Sequence, residues 1–371
     1  MKRIVLFTLL LGTLWACLCP ASKADDERHQ TVISSLSSVP TLDASTVPPN
    51  GDLNPYGVAF VPREFPNDSP LRPGDILVSN FNNSANMQGT GTTIVAISPQ
   101  GTTSVFFQGS PGLGLTTALG VLKRGFVLVG NVPTSDGTCG TVQAGSLLIL
   151  DRNGNLVETL SDPSLLDGPW DLTIREEGEN AQVFVSNVLN GTVTRIDLKL
   201  PDPDSDHAET GNPVVRSMTQ IASGYLHRCD PNALVVGPTG LALDLDHDLL
   251  YVASTGDNEI FSIQNPSKVG TQSGQGRLVY QDNVHLHGPL GLVRAPNGDL
   301  ITTNGDAVNP DSSQPSEMVE FTAQGVFVAQ RSVDSSGQGG AFGLALSGPE
   351  ERLRLAAVDD ITNTLEVWVI R

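Results

Sequence analysis

Few residues in this chain are of types and spacings that could do chemistry. His227, His285 and His287 fall in polar loops, and three imidazoles could hold zinc while leaving one coordination position open. No helix or paired cysteine fixes their geometry, so they also read as solvated loop histidines. Asp171 interrupts an apolar segment, where burial would raise its pKa and make it a base, yet no partner for it is visible. The same carboxylate reads equally as a buried acid bonded to backbone amides. Asp244-Leu245-Asp246-His247-Asp248 opens like a calcium loop, but Leu249 and Thr255 stand where the sixth-position Gly and twelfth-position Glu belong, so it reads as an acidic turn. The sequence contains no phosphate-cradling Gly loop, nucleophile elbow or basic aromatic stripe. No cofactor is therefore predicted.

The elements that must position these residues are repeated six times. Each unit opens on an apolar segment around a marker position, occupied by Gly57, Gly120, Asp171, Gly240, Gly291 and Gly343. A β-rich run follows after a polar turn, as in Ile76-Leu77-Val78, Val183-Phe184-Val185 and Leu250-Tyr251-Val252, and then a third such run. Ser98-Pro99-Gln100-Gly101, Asp151-Arg152-Asn153-Gly154 and Thr322-Ala323-Gln324-Gly325 mark the same tight turn in three units. Helical periodicity is almost absent. The pattern predicts an all-β fold, a six-bladed β-propeller of four-stranded antiparallel blades near 54–109, 117–161, 168–222, 237–282, 288–332 and 340–371. The chain ends after the third strand of the last unit, so a strand at about 31–37 is expected to complete that blade and close the ring.

Pro238-Thr239-Gly240-Leu241-Ala242-Leu243-Asp244, followed by Leu250 to Ser254 and Asn258-Glu259-Ile260, resembles an NHL repeat, and the other units are looser copies. The resemblance implies the fold and is nearly silent on activity, since similar propellers range from protein and RNA binders to lyases. A second similarity is to gluconolactonase-type propellers, whose channel holds calcium through acid or amide side chains just before the marker. Here those positions carry Tyr56, Leu119, Trp170, Thr239, Leu290 and Phe342, which implies an apolar mouth without the hard oxygen ligands calcium needs.

Composition narrows the setting. Residues 1–24 have the pattern of a secretory signal, with Lys2 and Arg3, an apolar run from Ile4 to Ala16, and the small-residue site Ser22-Lys23-Ala24. A mature chain from Asp25 to Arg371 would be one domain, secreted or periplasmic. Leu14-Trp15-Ala16-Cys17 also resembles a lipobox, which would make Cys17 a lipid anchor. No other stretch is apolar enough to span a membrane. The whole chain carries a net charge of −19, and loss of the leader leaves 18 basic against 40 acidic residues, a balance that repels nucleic acid and anionic membrane. Cys139 and Cys229 then remain, as one disulfide or two idle thiols.

Connections of unusual length lie at one end of the ring: Phe81 to Thr92, Val132 to Gly145, Ala222 to Gly237, Asp282 to Gly288, Gly305 to Ser316 and Asp334 to Gly340. Pro62 to Gly74 and Pro201 to Pro213 lie opposite. Long loops on a rigid ring are where binding sites develop, so a binding protein for a protein or small-molecule partner is expected, with Tyr56, Trp170 and Phe342 as anchors at the channel mouth. A metal-assisted lyase or lactonase at the same face is the alternative. Asn80, Asn131, Asn187 and Asn304 end second strands, where they either cap the strand or offer amides to a ligand.

Overall fold

A computed structural model describes residues 31–201 and 211–370, apart from 312, 314, 315, 334–336, 338 and 348–352. The segment read as a leader, including Cys17, lies outside the described residues. Six four-stranded antiparallel sheets form a closed ring, with each blade in simple up-and-down order from the innermost strand outward. The inner strands are Leu53–Phe60, Leu115–Leu122, Pro169–Glu177, Pro238–Asp244, Pro289–Arg294 and Ala341–Leu346. Second and third strands are buried along nearly their whole length, as in Ile76–Asn82 and Thr93–Ile97, because each blade is covered on both faces by its neighbours.

The blades are joined near the channel by a repeated device. Every inner strand slips register, in five blades at the marker, for example between Pro55 and Gly57 and between Pro289 and Leu292, and in blade 2 just before it, between Leu115 and Leu119. A bulge of this kind releases an N–H from the ladder. In blades 1, 3 and 5 a second-strand hydroxyl takes that N–H and passes a bond to the next blade. Gly57 N donates to Ser79 Oγ at 2.9 Å and Ser79 Oγ donates to the Thr116 carbonyl at 2.7 Å. Asp171 N, Ser186 and the Thr239 carbonyl repeat it at 3.1 and 2.7 Å; Gly291 N, Thr303 and the Phe342 carbonyl do so at 2.9 and 2.5 Å. Blades 2 and 4 use an inner-strand hydroxyl instead, Thr116 Oγ1 to the Pro169 carbonyl at 2.8 Å and Thr239 Oγ1 to the Pro289 carbonyl at 3.0 Å. Glycine is required where backbones close up: a Cβ on Gly240 would collide with the Leu290 carbonyl, and one on Gly343 with that of Tyr56.

An N-terminal strand closes the ring, but it is Leu42–Ser45 rather than 31–37. It pairs antiparallel with Thr364–Val369, from Leu42 opposite Val367 to Ser45 opposite Thr364. Residues 31–37 instead contain a single 3-10 turn, Ile33–Ser35. The physical reason lies in spacing. Ile33 and Leu36 are three apart and sink together between blades 5 and 6 beside Trp368, whereas Asp43, Ala44 and Ser45 alternate out, in and out as an edge strand must. The turn is fixed by the buried Glu320 carboxylate, which accepts from Val32 N at 2.8 and 2.9 Å and from Ile33 N at 2.8 Å. Arg331 donates to the carbonyls of Leu36 and Ser37 at 2.8 and 2.6 Å.

The segment therefore has two separable functions. Removing residues up to Val39 should cost several kcal/mol, since it takes away the two amides held by Glu320, the two carbonyls held by Arg331 and three buried apolar side chains. Removing residues up to Thr46 takes the closing strand as well and should lower the melting temperature much further. Equal melting temperatures for the two truncations would refute closure by Leu42–Ser45.

Candidate functional site

The central channel differs at its two ends. Connections from second to third strands and from one blade to the next emerge at one end of an up-and-down ring, and this is the loop-rich face. Beneath it the channel is filled. Tyr56 stacks on Phe342 at 3.8 Å between ring centroids and on Phe81 at 4.7 Å, while Trp170 meets Phe81 edge-on at 5.3 Å. These rings are buried, Trp170 to 2% exposure, and share one apolar cluster with Leu290, Val132 and Val188. Burial, and next to it the charge of Asp360, push the Tyr56 phenol well above its ordinary pKa.

A lid covers the plug. The connection between blades 3 and 4 folds into an additional hairpin, Arg228–Asp230 paired with Leu234–Val236, and Leu234 and Val235 join the same buried cluster. Cys229 on this hairpin is disulfide-bonded to Cys139 in the long loop of blade 2, with their Cα atoms 5.7 Å apart. That link ties two loops 90 residues apart in sequence across the channel end.

Asp171 is buried one residue beyond Trp170, at the single marker without Gly. Its Oδ1 accepts from Leu172 N at 2.8 Å and its Oδ2 from Leu241 N, in the next blade, at 3.0 Å. Burial pushes its pKa up to about 8, against the opposing pull of those two amides. The side chain thus makes a junction between blades 3 and 4 that close backbone packing makes elsewhere.

The strand-end asparagines bond within the protein, but not to their own following residues alone. Asn80 Nδ2 donates to the Thr46 carbonyl at 3.2 Å, Asn187 Nδ2 to that of Leu165 at 3.1 Å and Asn304 Nδ2 to that of His285 at 2.8 Å, each clipping the connection that enters its blade. Asn131 Nδ2 binds Ser146 Oγ at 2.7 Å.

The histidines are brought together only in part. His285 stacks on Phe327 with centroids 3.7 Å apart, and its Nδ1 is 2.5 Å from Asp282. His287 is buried with both ring nitrogens on carbonyl oxygens, those of Asn309 and Val284. His227 is exposed in another connection, its Nδ1 2.9 Å from the Tyr225 carbonyl. Among the described residues no three or more His, Cys, Asp or Glu side chains are grouped so as to hold a metal ion. Near His287, burial pushes the Glu317 carboxyl up to about 7, although Asn304 donates to it at 3.2 Å.

The opposite end is open. There the ends of the inner strands of blades 1, 2, 3 and 6 surround a cavity of about 710 Å³, a site not foreseen from the sequence. Its walls are Val58, Leu119, Val121 and Ile174, and its rim carries Arg63, Lys123 and Arg354. The signal was present as basic residues in or beside the first-to-second strand connections, Arg63, Lys123 and Arg354, but it emerges only when those connections are brought together.

No protein-family model and no curated protein sequence matches the chain. Solved structures do match. An oxidoreductase described as a glucose dehydrogenase from Thermus thermophilus is 14% identical with a TM-score of 0.52, over 88% of this chain and 98% of its own. The calcium-binding protein regucalcin from Agrobacterium tumefaciens is 14% identical, also with a TM-score of 0.52, over 88% and 94%. A luciferin-regenerating enzyme is 11% identical with a TM-score of 0.50, over 89% and 94%. At this identity the likeness is one of fold alone, that of a six-bladed β-propeller.

The Asp171 site predicts a pH dependence. Its folded-state pKa of about 8 lies above the ordinary carboxylate value of 3.8, so the folded chain holds the proton more tightly. The stabilisation is complete below about pH 4 and is lost as pH rises through about 8. Glu317 acts in the same direction around pH 7. Melting temperature should therefore fall between about pH 4 and 8 and level off above that, and Asp171→Asn, although less stable, should show a shallower fall. Parallel curves would mean that Asp171 does not titrate in this range.

Proposed function

We propose that this is an exported, NHL-like binding propeller whose loop-rich face engages a protein partner. The observation that carries the reading is the filled channel beneath that face. The plug of Tyr56, Phe81, Trp170 and Phe342 under a disulfide-tied hairpin leaves no passage for a small substrate, so recognition there is by surface. The loops also expose large apolar side chains, Leu226 at 60%, Val284 at 65% and Ile361 at 44%, which is the kind of exposure that interfaces bury. A leader in residues 1–24 together with a disulfide between the two remaining cysteines supports an oxidising, extracytoplasmic location, with Cys17 as an anchor in the lipoprotein version of the same proposal.

The second reading, a metal-assisted lactonase, draws on the fold shared with regucalcin and on the raised pKa of Asp171, which suits a general base. Against it, both Asp171 oxygens are occupied by backbone amides in the interior.

Photocrosslinking groups placed at Leu226, Val284 and Ile361, with Leu245 on the opposite face as control, separate the two. In the extracytoplasmic fraction of the source organism the loop-face probes should give one crosslinked species that Val284→Asp removes. Crosslinking only from Leu245, or calcium- or zinc-dependent lactone hydrolysis abolished by Asp171→Asn in a folded protein, would overturn the proposal. Replacing Cys139 and Cys229 by Ser should cost about 4.6 kcal/mol of stability, from the 90-residue separation of the bridged positions, and weaken the crosslink.

A further inference from the structure

We infer that the cavity at the end of the channel opposite the loop-rich face is a binding site for a small amphipathic anion, a carboxylate carried on an apolar body. Its volume of about 710 Å³ lies in the range of small-molecule sites, and its walls are the apolar ends of inner strands. The charge at its rim runs against that of the molecule. A chain with 40 acidic and 21 basic residues places three cations, Arg63, Lys123 and Arg354, around this mouth with Glu64 as the one carboxylate among the lining residues.

The cations differ in what they already hold. Lys123 is paired with Glu64 at 2.9 Å, but both side chains are more than half exposed, so that pair is weak and exchangeable. Arg354 is half-buried. Its guanidinium lies 4.7 Å over the Phe60 ring and donates to the Gly74 carbonyl at 3.3 Å, two partners that carry no charge. Burial lowers its pKa, as expected for a desolvated cation with no acidic partner among the described residues. Removing such a charge from water is costly unless an anion meets it, and a planar guanidinium forks onto a carboxylate. Arg354 is therefore the residue that receives the ligand's charge, Lys123 supports it at longer range, and Val121 and Ile174 contact the apolar body. A fully polar anion such as inorganic phosphate would leave those walls unsatisfied.

Titration calorimetry of the folded mature chain with decanoate, kept below its micellar concentration, tests the assignment. One decanoate per chain should bind, while decyltrimethylammonium and inorganic phosphate should not. Arg354→Gln should weaken binding at least tenfold, Arg354→Lys should retain part of it, and Lys123→Gln should weaken it only a few-fold. Val121→Phe, which fills the cavity without touching a charge, should abolish binding and keeps the test decisive if the Arg354 variants fold poorly. The loop-face change Val284→Asp should leave decanoate binding intact, so this site stands or falls separately from the partner surface. Absence of decanoate binding, equal binding of the cationic amphiphile, or affinity unchanged by both Arg354→Gln and Val121→Phe would overturn the inference.

Discussion

The hydroxyl bridge between adjacent inner strands is the constraint on which this molecule depends. A propeller has no core that runs through all its blades, so each junction must be made locally, where neighbouring backbones meet at the channel. In blades 1, 3 and 5 the bulge at the marker frees an amide, and a Ser or Thr hydroxyl both accepts from it and donates to the neighbouring blade's carbonyl, as Ser79 does between Gly57 and Thr116. One short side chain thereby satisfies two buried polar groups that would otherwise be stranded. Blades 1, 3 and 5 take the hydroxyl from the second strand, and blades 2 and 4 from Thr116 and Thr239 on the inner one.

Once the inner strands are held this closely, the residue before each marker is buried, with Tyr56, Trp170 and Phe342 meeting at the loop-rich end and Leu119 in the wall of the opposite cavity. In most blades that residue is bulky and apolar, and the result is a stacked aromatic plug instead of a ring of ligands. The other end of the channel holds a cavity, where residues at or just beyond the ends of inner strands, among them Lys123 and Leu346, face one space. The two ends of one channel thus have different chemistry. A fold shared with a calcium-binding regucalcin does not by itself carry over what a channel binds.

The ring was legible in the sequence because its markers are backbone requirements. Glycine at five of six inner strands and Asn-Gly or Gln-Gly turns are written locally, and both blade number and strand order follow from them. The closing strand was legible as a necessity but not as a segment. Leu42-Asp43-Ala44-Ser45 offers one fully buried side chain, whereas Val32, Ile33 and Leu36 look more strand-like and are recruited by Glu320, nearly three hundred residues away. The aromatics before the markers were visible, but whether they stand open or stack on Phe81 depends on how far the blades converge. The cavity on the opposite face depends on residues from four blades, Arg354 among them, and no single stretch of sequence contains it.

Solvent access to Trp170 tests the central claim most directly. In a chain that starts at Asp25 and carries Trp368→Phe, this indole is the one tryptophan left. With the plug in place, iodide and acrylamide should quench its fluorescence scarcely at all until the protein unfolds. Quenching in the native state close to that of a free indole would mean that the channel is open beneath the loop-rich face, which contradicts the account.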